Sequence, residues 1–404
     1  MRAALIGKPL GHSYSREIHE RLGYPYDLKE VDEGDLSALL SSGVYDGFNV
    51  TIPYKKTVMP LLDSVDGIAK KIGAVNTVKV RNRQLFGYNT DAYGLEYLIE
   101  KEGISLNDKT VMILGTGGTS LTAGAVAERL GAKEIVTVGR SSPVNYESCY
   151  NVKGVSVIIN TTPVGMYPNV EAPLVQLSRF EGLEGVVDVI YNPLRTRLLI
   201  EARGLGLKTA GGLKMLVAQA VRSAEIFTDT VLGDGCIEGL YRQIALEKCN
   251  VVLIGMPGAG KSTLGRLLAE ELKKPFTDVD SVAEELAGKP VQRIIEEDGE
   301  RAFREIESNA LHLALKKGGV IATGGGCVLS KKNRQAILSN SIIAHIERDA
   351  DKLSVEGRPL SSSASALEML QAERMPIYCD LADFSIKNNG GILSALSALK
   401  EKLL

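Results

Sequence analysis

Short β-branched runs alternate with amphipathic stretches along the 404 residues, a pattern that predicts parallel sheets covered by helices. In the N-terminal part the strand candidates are Ala3–Ile6, Gly47–Val50, Thr110–Leu114, Glu134–Val138, Val155–Asn160 and Val186–Val189. A helix is predicted from Lys214 to Phe227, because Leu216, Val217, Ala220, Val221 and Ala224 recur at helical spacing, and Gly233, Asp234 and Gly235 are expected to end it. A helical piece from Ile237 to Glu247 runs straight into a strand at Val251–Ile254. With no Gly/Ser-rich or Pro-rich spacer between them, that join is expected to be semi-rigid. The sequence has no internal repeat, and its one biased segment, Ser361 to Ser365, reads as a solvated loop.

Two glycine-rich loops follow predicted strands. The later one, GMPGAGKS from Gly255 to Ser262, lies between the strand Val251–Ile254 and a helix expected from Lys261 to Leu272, which is the full setting of a phosphate-binding loop. Backbone N–H groups of Gly258, Ala259, Gly260 and the Lys261–Thr263 turn would cradle phosphates there. Lys261 would reach the β- and γ-phosphates, and the Ser262 hydroxyl would ligate Mg²⁺. The earlier loop, GTGGTS from Gly115 to Ser120, follows Thr110–Leu114 and opens a helix, so Gly115, Gly117, Gly118 and Thr119 could face a pyrophosphate. Ser120 stands where the dinucleotide fingerprint has Gly or Ala, and a purely structural turn remains the alternative. The next strand ends in Gly139-Arg140-Ser141, where an NAD enzyme would carry an acidic residue. Arg140 offers a cation to a 2′-phosphate instead, which favours NADP; a solvated surface charge is the other reading.

Beyond the P-loop, FTDVDS places Asp278 and Asp280 on one face if the segment is extended. Two such carboxylates suit one metal-directed group and one acceptor of a hydroxyl proton, although alone such a pair is more often a cap or a solvated edge.

Charge narrows the partners. Lys and Arg number 26 against 28 Asp and Glu through Glu247, and 21 against 21 after it, so neither part has the basic excess that a nucleic-acid backbone demands. No apolar run reaches membrane-spanning length and the start is unlike a signal peptide, so a cytoplasmic protein is expected. Cys149, Cys236, Cys249, Cys327 and Cys379 lack metal-ligand spacing and read as free thiols. Small molecules are the expected partners, with no nucleic acid and no membrane, and homo-oligomerisation is left open.

Five polar clusters in the front part, GKPLGHSYS (Gly7 to Ser15), NVTIPYK (Asn49 to Lys55), GAVNTV (Gly73 to Val78), GYNTD (Gly87 to Asp91) and GGLKMLVAQA (Gly211 to Ala220), are not needed for folding. In this order they resemble shikimate dehydrogenase over essentially the whole front part. The resemblance implies that Ser13 and Ser15 hold the substrate carboxylate and that Thr51, Asn76 and Gln219 bond the ring hydroxyls. Lys55 and Asp91 become the catalytic pair. Hydride reduction of a ketone needs a proton for the developing alkoxide, and a lysine held by a carboxylate can supply one; an ordinary ion pair is the alternative. Similarity also puts Asn160, Thr161 and Thr162 near the nicotinamide, with Tyr191, Gly212 and Met215 closing around the reactants. Arg16 departs from the family, which usually has Pro after the second serine.

The back part carries FREIE (Phe303 to Glu307), IATGGG (Ile321 to Gly326), GRPL (Gly357 to Leu360) and ERMPIY (Glu373 to Tyr378), in the order of shikimate kinase, which it resembles from Lys248 onward. That implies Asp280 orienting the substrate hydroxyl, Asp278 supporting Mg²⁺, and Arg304 and Arg374 clamping the carboxylate. It also implies that Gly324, Gly325 and Gly326 admit the ring, and that Arg358 acts from a lid on the transferring phosphoryl group. Glu307 is read equally as a carboxylate supporting Arg304 or as a surface pair. The lid is short, with only SVEG between Leu353 and Arg358, and lacks the upstream arginine often found in the family.

The expected fold is α/β. Residues 1–95 and 211–240 form a substrate domain, 96–210 a Rossmann-like NADP domain, 241–247 a short helical linker and 248–404 a P-loop kinase with a parallel sheet. The expected function is NADPH-dependent reduction of 3-dehydroshikimate followed by MgATP-dependent phosphorylation of shikimate. Quinate or NAD at the first site, another small hydroxy acid such as gluconate at the second, and a non-catalytic binding protein are the alternatives. The last is disfavoured because a sensor needs neither Lys55 with Asp91 nor Lys261 with Asp280.

Overall fold

The computed structural model describes residues 1–10, 13–170, 173–349, 352–353 and 364–404. The chain divides into two compact units, Met1–Tyr241 and Arg242–Leu404.

The first unit holds two sheets. One is mixed, built from β1 (Ala3–Gly7), β2 (Tyr26–Glu30), β3 (Gly47–Val50), β4 (Ser64–Val65), β5 (Thr77–Arg81) and β6 (Gln84–Tyr88) in the order β2-β1-β3-β5-β6-β4. The strands β1 and β3 are fully buried and parallel, as near-continuous apolar runs should be. β5 and β6 are joined by a tight hairpin whose central residues, Asn82 and Arg83, both have positive φ (52° and 63°), the geometry whose twist matches paired strands.

The other sheet is wholly parallel, with β7 (Thr110–Leu114), β8 (Glu134–Val138), β9 (Val155–Asn160), β10 (Gly185–Asp188) and β11 (Lys208–Gly211) in the order β11-β10-β9-β7-β8. The order reverses at β7, so the carboxyl ends of β7 and β9 open a crevice where a ligand can sit. The helices Thr90–Lys101 and Gly212–Thr228 pack closely on one another. They approach tightly at Gly94, where a Cβ would stand 2.6 Å from the Met215 carbonyl oxygen.

The second unit is a parallel sheet of β12 (Asn250–Ile254), β13 (Phe276–Asp278), β14 (Val320–Ala322), β15 (Ser341–Glu347) and β16 (Phe384–Lys387), ordered β13-β14-β12-β15-β16. β12 is central and fully buried, and the P-loop leaves its carboxyl end. Gly255, at φ 142°, passes so close to β15 that a Cβ there would lie 2.4 Å from the Ile346 carbonyl oxygen. Among the described residues, no helix is long and apolar enough to cross a membrane.

Three local expectations need correction. The strand expected at Val186–Val189 is Gly185–Asp188, because Gly185 already pairs with Lys208 and Val157. The helix expected to run from Lys214 and stop at Gly233–Gly235 spans Gly212–Thr228 and ends at Asp229 in the left-handed conformation. Gly233 instead opens the next helix, Gly233–Lys248, because the Glu225 carboxylate accepts the N–H groups of Leu232 and Gly233 at 2.8 and 3.2 Å. Third, Asp278 and Asp280 are not on one extended face. β13 ends at Asp278, whose carboxylate caps the helix Val279–Ala287 by accepting the Asp280 N–H at 3.1 Å. Within the segment Ser361 to Ser365, Ala364 and Ser365 belong to the helix Ala364–Leu381, and the rest lies outside the described residues.

Candidate active sites

In the first unit a cleft of about 940 Å³ runs between the mixed and the parallel sheet. On its mixed-sheet side it collects Ser13, Ser15, Thr51, Lys55, Asn76, Asp91 and Gln219, and on the other side Thr119, Tyr191, Gly212 and Met215. These come from far-apart chain segments, and the fold brings them to one surface. Lys55 Nζ donates to Asp91 Oδ2 at 2.5 Å, with the two side chains 26% and 19% exposed, so the pair faces the cleft and can meet a ligand. Asp91 is fixed in the first turn of the helix Thr90–Lys101, where a carboxylate is favoured and where Asn89 caps the N-terminus.

Behind this surface lies a buried polar network. The hydroxyls of Thr77, Thr90 and Ser223 stand 2.9 to 3.0 Å apart, and Asn49 Nδ2 donates to Thr77 and Ser223. Asn76 Oδ1 accepts the Thr90 N–H at 2.7 Å, while Gln219 Nε2 donates to the Leu216 carbonyl. Asn76 and Gln219 are thereby held in fixed rotamers at the cleft wall. Ser223 has no counterpart among the residues singled out from sequence, since one hydroxyl in an apolar helix gives no local signal.

On the dinucleotide side, Gly115 has φ 112° and Gly117 caps the helix Gly118–Arg129. A Cβ at Gly117 or Gly118 would have no neighbour within 4 Å, so the turn is open to a phosphate at a helix N-terminus. Ser120 turns inward and donates to the Gly117 carbonyl at 2.7 Å, bracing the loop. Thr161 donates to the Leu114 carbonyl at 2.7 Å and so stands against Gly115 at the crevice. Arg140 and Ser141 are exposed on the turn after β8, outside the cleft lining. Two expectations change character. Asn160 is spent on Asp188 and Thr162. Gly212 is glycine because a Cβ would stand 2.1 Å from the Val189 carbonyl oxygen, although it also lines the cleft. Tyr14, missed from sequence, lies beside Tyr191 with ring centroids 5.2 Å apart, and burial raises the Tyr191 phenol above its ordinary pKa.

In the second unit a cavity of about 630 Å³ is lined by Gly258, Gly260, Lys261, Ser262, Thr263, Asp280, Arg304, Gly324, Gly325, Gly326 and Arg374. Ala259 belongs to the loop but is buried beneath it. Lys261 is nearly buried, and its ammonium donates to the Gly255 and Met256 carbonyls at 2.9 Å each, which holds it against the loop. Gly260, at φ 95°, caps the helix Lys261–Leu272, so the loop closes on a helix N-terminus, which fits a polyphosphate.

The substrate side is built on buried charge. Glu307 is 1% exposed and accepts from Arg304 at 2.9 Å, so it is the supporting carboxylate and not a surface pair; Glu300 holds the same guanidinium at 2.8 Å. Burial raises the Asp280 and Glu307 carboxyls above the ordinary range. Asp280 Oδ1, Glu307 Oε1 and Arg374 Nε are buried without a hydrogen-bond partner among the described residues, a set of two acceptors and a cationic donor suited to a hydroxylated carboxylate. Asp278 does not line this cavity, and Arg358 with the GRPL segment lies outside the described residues. All five cysteines are free.

A two-lobed dehydrogenase with a dinucleotide turn and a P-loop phosphotransferase therefore share this chain. Models of the shikimate dehydrogenase substrate binding domain and of shikimate kinase match residues 5–78 and 257–401. The NADP⁺ shikimate dehydrogenase of Clostridium beijerinckii is 37% identical over 258 residues, 59% of this chain and 95% of that protein. The chain belongs to the shikimate dehydrogenase family and carries a shikimate kinase domain after it, and it has the NADP-dependent oxidoreductase and kinase activities of the two. Among solved structures, the chorismate mutase/shikimate 5-dehydrogenase fusion of Clostridium acetobutylicum aligns with TM-score 0.58 at 34% identity, over 60% of this chain and 96% of that one. Shikimate 5-dehydrogenase of Thermus thermophilus, in complex with NADP(H) and shikimate, aligns with TM-score 0.54 at 28% identity, over 60% and 99%.

Proposed function

We propose that the chain performs two consecutive reactions, reducing 3-dehydroshikimate to shikimate and phosphorylating shikimate at its 3-hydroxyl. The observation that carries this reading is the pairing of one proton-handling group with one nucleotide loop in each unit: Lys55 with Asp91 beside the Gly115–Ser120 turn, and Asp280 beside Lys261.

In the first site NADPH, when bound, supplies the hydride. Ser13 and Ser15 bind the substrate carboxylate, Thr51, Asn76 and Gln219 orient the ring hydroxyls, and Lys55 gives its proton to the alkoxide oxygen while Asp91 holds it in place. Tyr191 and Met215 exclude water from the reacting carbon. Arg140 and Ser141 take the 2′-phosphate, and Gly115, Gly117, Gly118, Thr119 and Thr161 the pyrophosphate and its neighbourhood.

In the second site MgATP, when bound, supplies the phosphoryl group. Arg304 and Arg374 hold the shikimate carboxylate, Asp280 accepts the proton of the attacking hydroxyl, and Lys261 neutralises charge on the terminal phosphate. Its raised pKa makes Asp280 a better proton acceptor than a solvated carboxylate. In this reading Ser262 would hold Mg²⁺, and Arg358, outside the described residues, would be the cation that acts on the transferring phosphoryl group. Asp278, whose Oδ1 caps a helix, would support the metal through its remaining acceptor positions.

A coupled assay tests both halves. Purified protein given 3-dehydroshikimate, NADPH and MgATP should consume both nucleotides and accumulate shikimate 3-phosphate. Consumption of NADPH without ADP release would reject the second half, and turnover of quinate in preference to shikimate would reject the first.

A further inference from the structure

Arg348 is the first residue after β15, the strand that pairs with β12 and reaches past it alongside the P-loop. Its Nη1 donates to the Gly258 carbonyl at 3.1 Å. Its Nε is buried and has no acceptor among the described residues. The adjacent carboxylates do not supply one, since Glu347 lies 3.7 Å from the His345 ring and Asp349 pairs with Lys352.

Arg348 also borders two cavities. It lines the cavity that holds Lys261, Ser262 and Thr263, and a second cavity of about 320 Å³ that includes Met256, Glu347, Lys387 and Asn389. A permanently charged group with five N–H donors, tied to the phosphate loop by one of them, has donors left over for an anion. The ligand that the loop itself is shaped for is a polyphosphate.

We propose that Arg348 is a nucleotide-binding residue of the kinase site, donating to the phosphate chain of ATP as a second fixed cation beside Lys261. The proposal rests on the ATP-dependent reading of this unit and deepens it: the P-loop does not hold the polyphosphate alone, and the end of β15 contributes to it.

The test compares full-length wild type with Arg348→Ala and Arg348→Lys, using calorimetric titration with MgATP and with inorganic tripolyphosphate, plus steady-state kinetics. Arg348→Ala should weaken both MgATP and tripolyphosphate binding about tenfold or more and raise the KM for ATP equally, as loss of a charge-assisted contact does. The KM for shikimate and the dehydrogenase rate should stay within about twofold, and Lys should restore part of the loss. Unchanged binding of both ligands would overturn the proposal. So would weaker MgATP with unchanged tripolyphosphate, which would put the contact on the base. A lowered melting temperature with both substrate KM values raised together would mean that Arg348 only braces the loop. Because binding is read without turnover, a wild type that bound MgATP but phosphorylated nothing would fail the kinase reading and leave this one standing on its own data.

Discussion

The guanidinium of Arg304 occupies the space beside Gly326 so closely that a Cβ on residue 326 would stand 2.4 Å from both of its terminal nitrogens. The two other glycines of the turn are fixed by different neighbours. A Cβ at Gly324 would stand 2.5 Å from both Asp280 Oδ1 and Glu307 Oε1, and one at Gly325 would meet the Pro257 ring at 2.7 Å. The turn is thus a mould for the side chains proposed to bind the substrate. Gly326→Ala should displace Arg304 from Glu307 and raise the KM for shikimate about tenfold or more, the scale of a lost charge-assisted contact. The KM for ATP should hardly move. Steady-state kinetics with each substrate varied in turn would check this, and equal changes in both KM values would count against it.

Replacing Lys55 by Ala should lower kcat for ketone reduction by about 10²- to 10⁴-fold, the usual contribution of a positioned proton donor. NADPH binding, followed by nicotinamide fluorescence, should persist. The kinase rate of the same preparation serves as an internal control.

Arg140 carries the cofactor preference in this reading. Arg140→Ala should raise the KM for NADPH about tenfold while leaving that for NADH nearly unchanged, because only the 2′-phosphate loses its cation. An unchanged ratio would make Arg140 an ordinary surface charge.

Asp188 gives a prediction about pH. It is fully buried at the end of β10, accepts from Asn160, Thr196 and the Ile190 N–H, and burial raises its pKa to about 6 despite those bonds. The folded state therefore keeps a proton that the unfolded chain releases near pH 4, and stability falls as pH rises from there through about 6. The loss amounts to about 3 kcal/mol, at roughly 1.4 kcal/mol for each tenfold change in proton affinity between the folded and unfolded chain. His19 works the other way, since burial lowers its pKa to about 3 and folding is disfavoured as pH drops below the value of a free imidazole. The difference between wild type and Asp188→Asn isolates the first effect. Denaturant melts should show the variant gaining on wild type as pH rises from 4 to 6, with the gain constant above that.

The P-loop and the glycine turn after β7 were legible in the sequence because glycine acts on the backbone it sits in, and flanking strand and helix patterns fix the context. Lys55 and Asp91 were legible only as members of ordered clusters resembling a known family, since nothing local says that residues 36 apart will touch. Asp278 and Asp280 misled because period two assumes a strand, and the strand stops at the first of them. The run Gly233–Gly235 looks like a helix stop, but the carboxylate of Glu225, eight residues before Gly233, turns it into a start. Arg348 carried no signal at all, because an arginine ending a strand is usually solvated, and its meaning comes from β15 lying next to β12.

Every described side chain of the dehydrogenase cleft precedes Tyr241, and every one of the kinase cavity follows Arg242. Each translated copy of this chain therefore carries the two units in a one-to-one ratio that expression of the chain cannot alter. If the two sites run the consecutive reactions proposed above, the balance between making and using shikimate within this chain rests on the two turnover numbers, and selection on flux acts there.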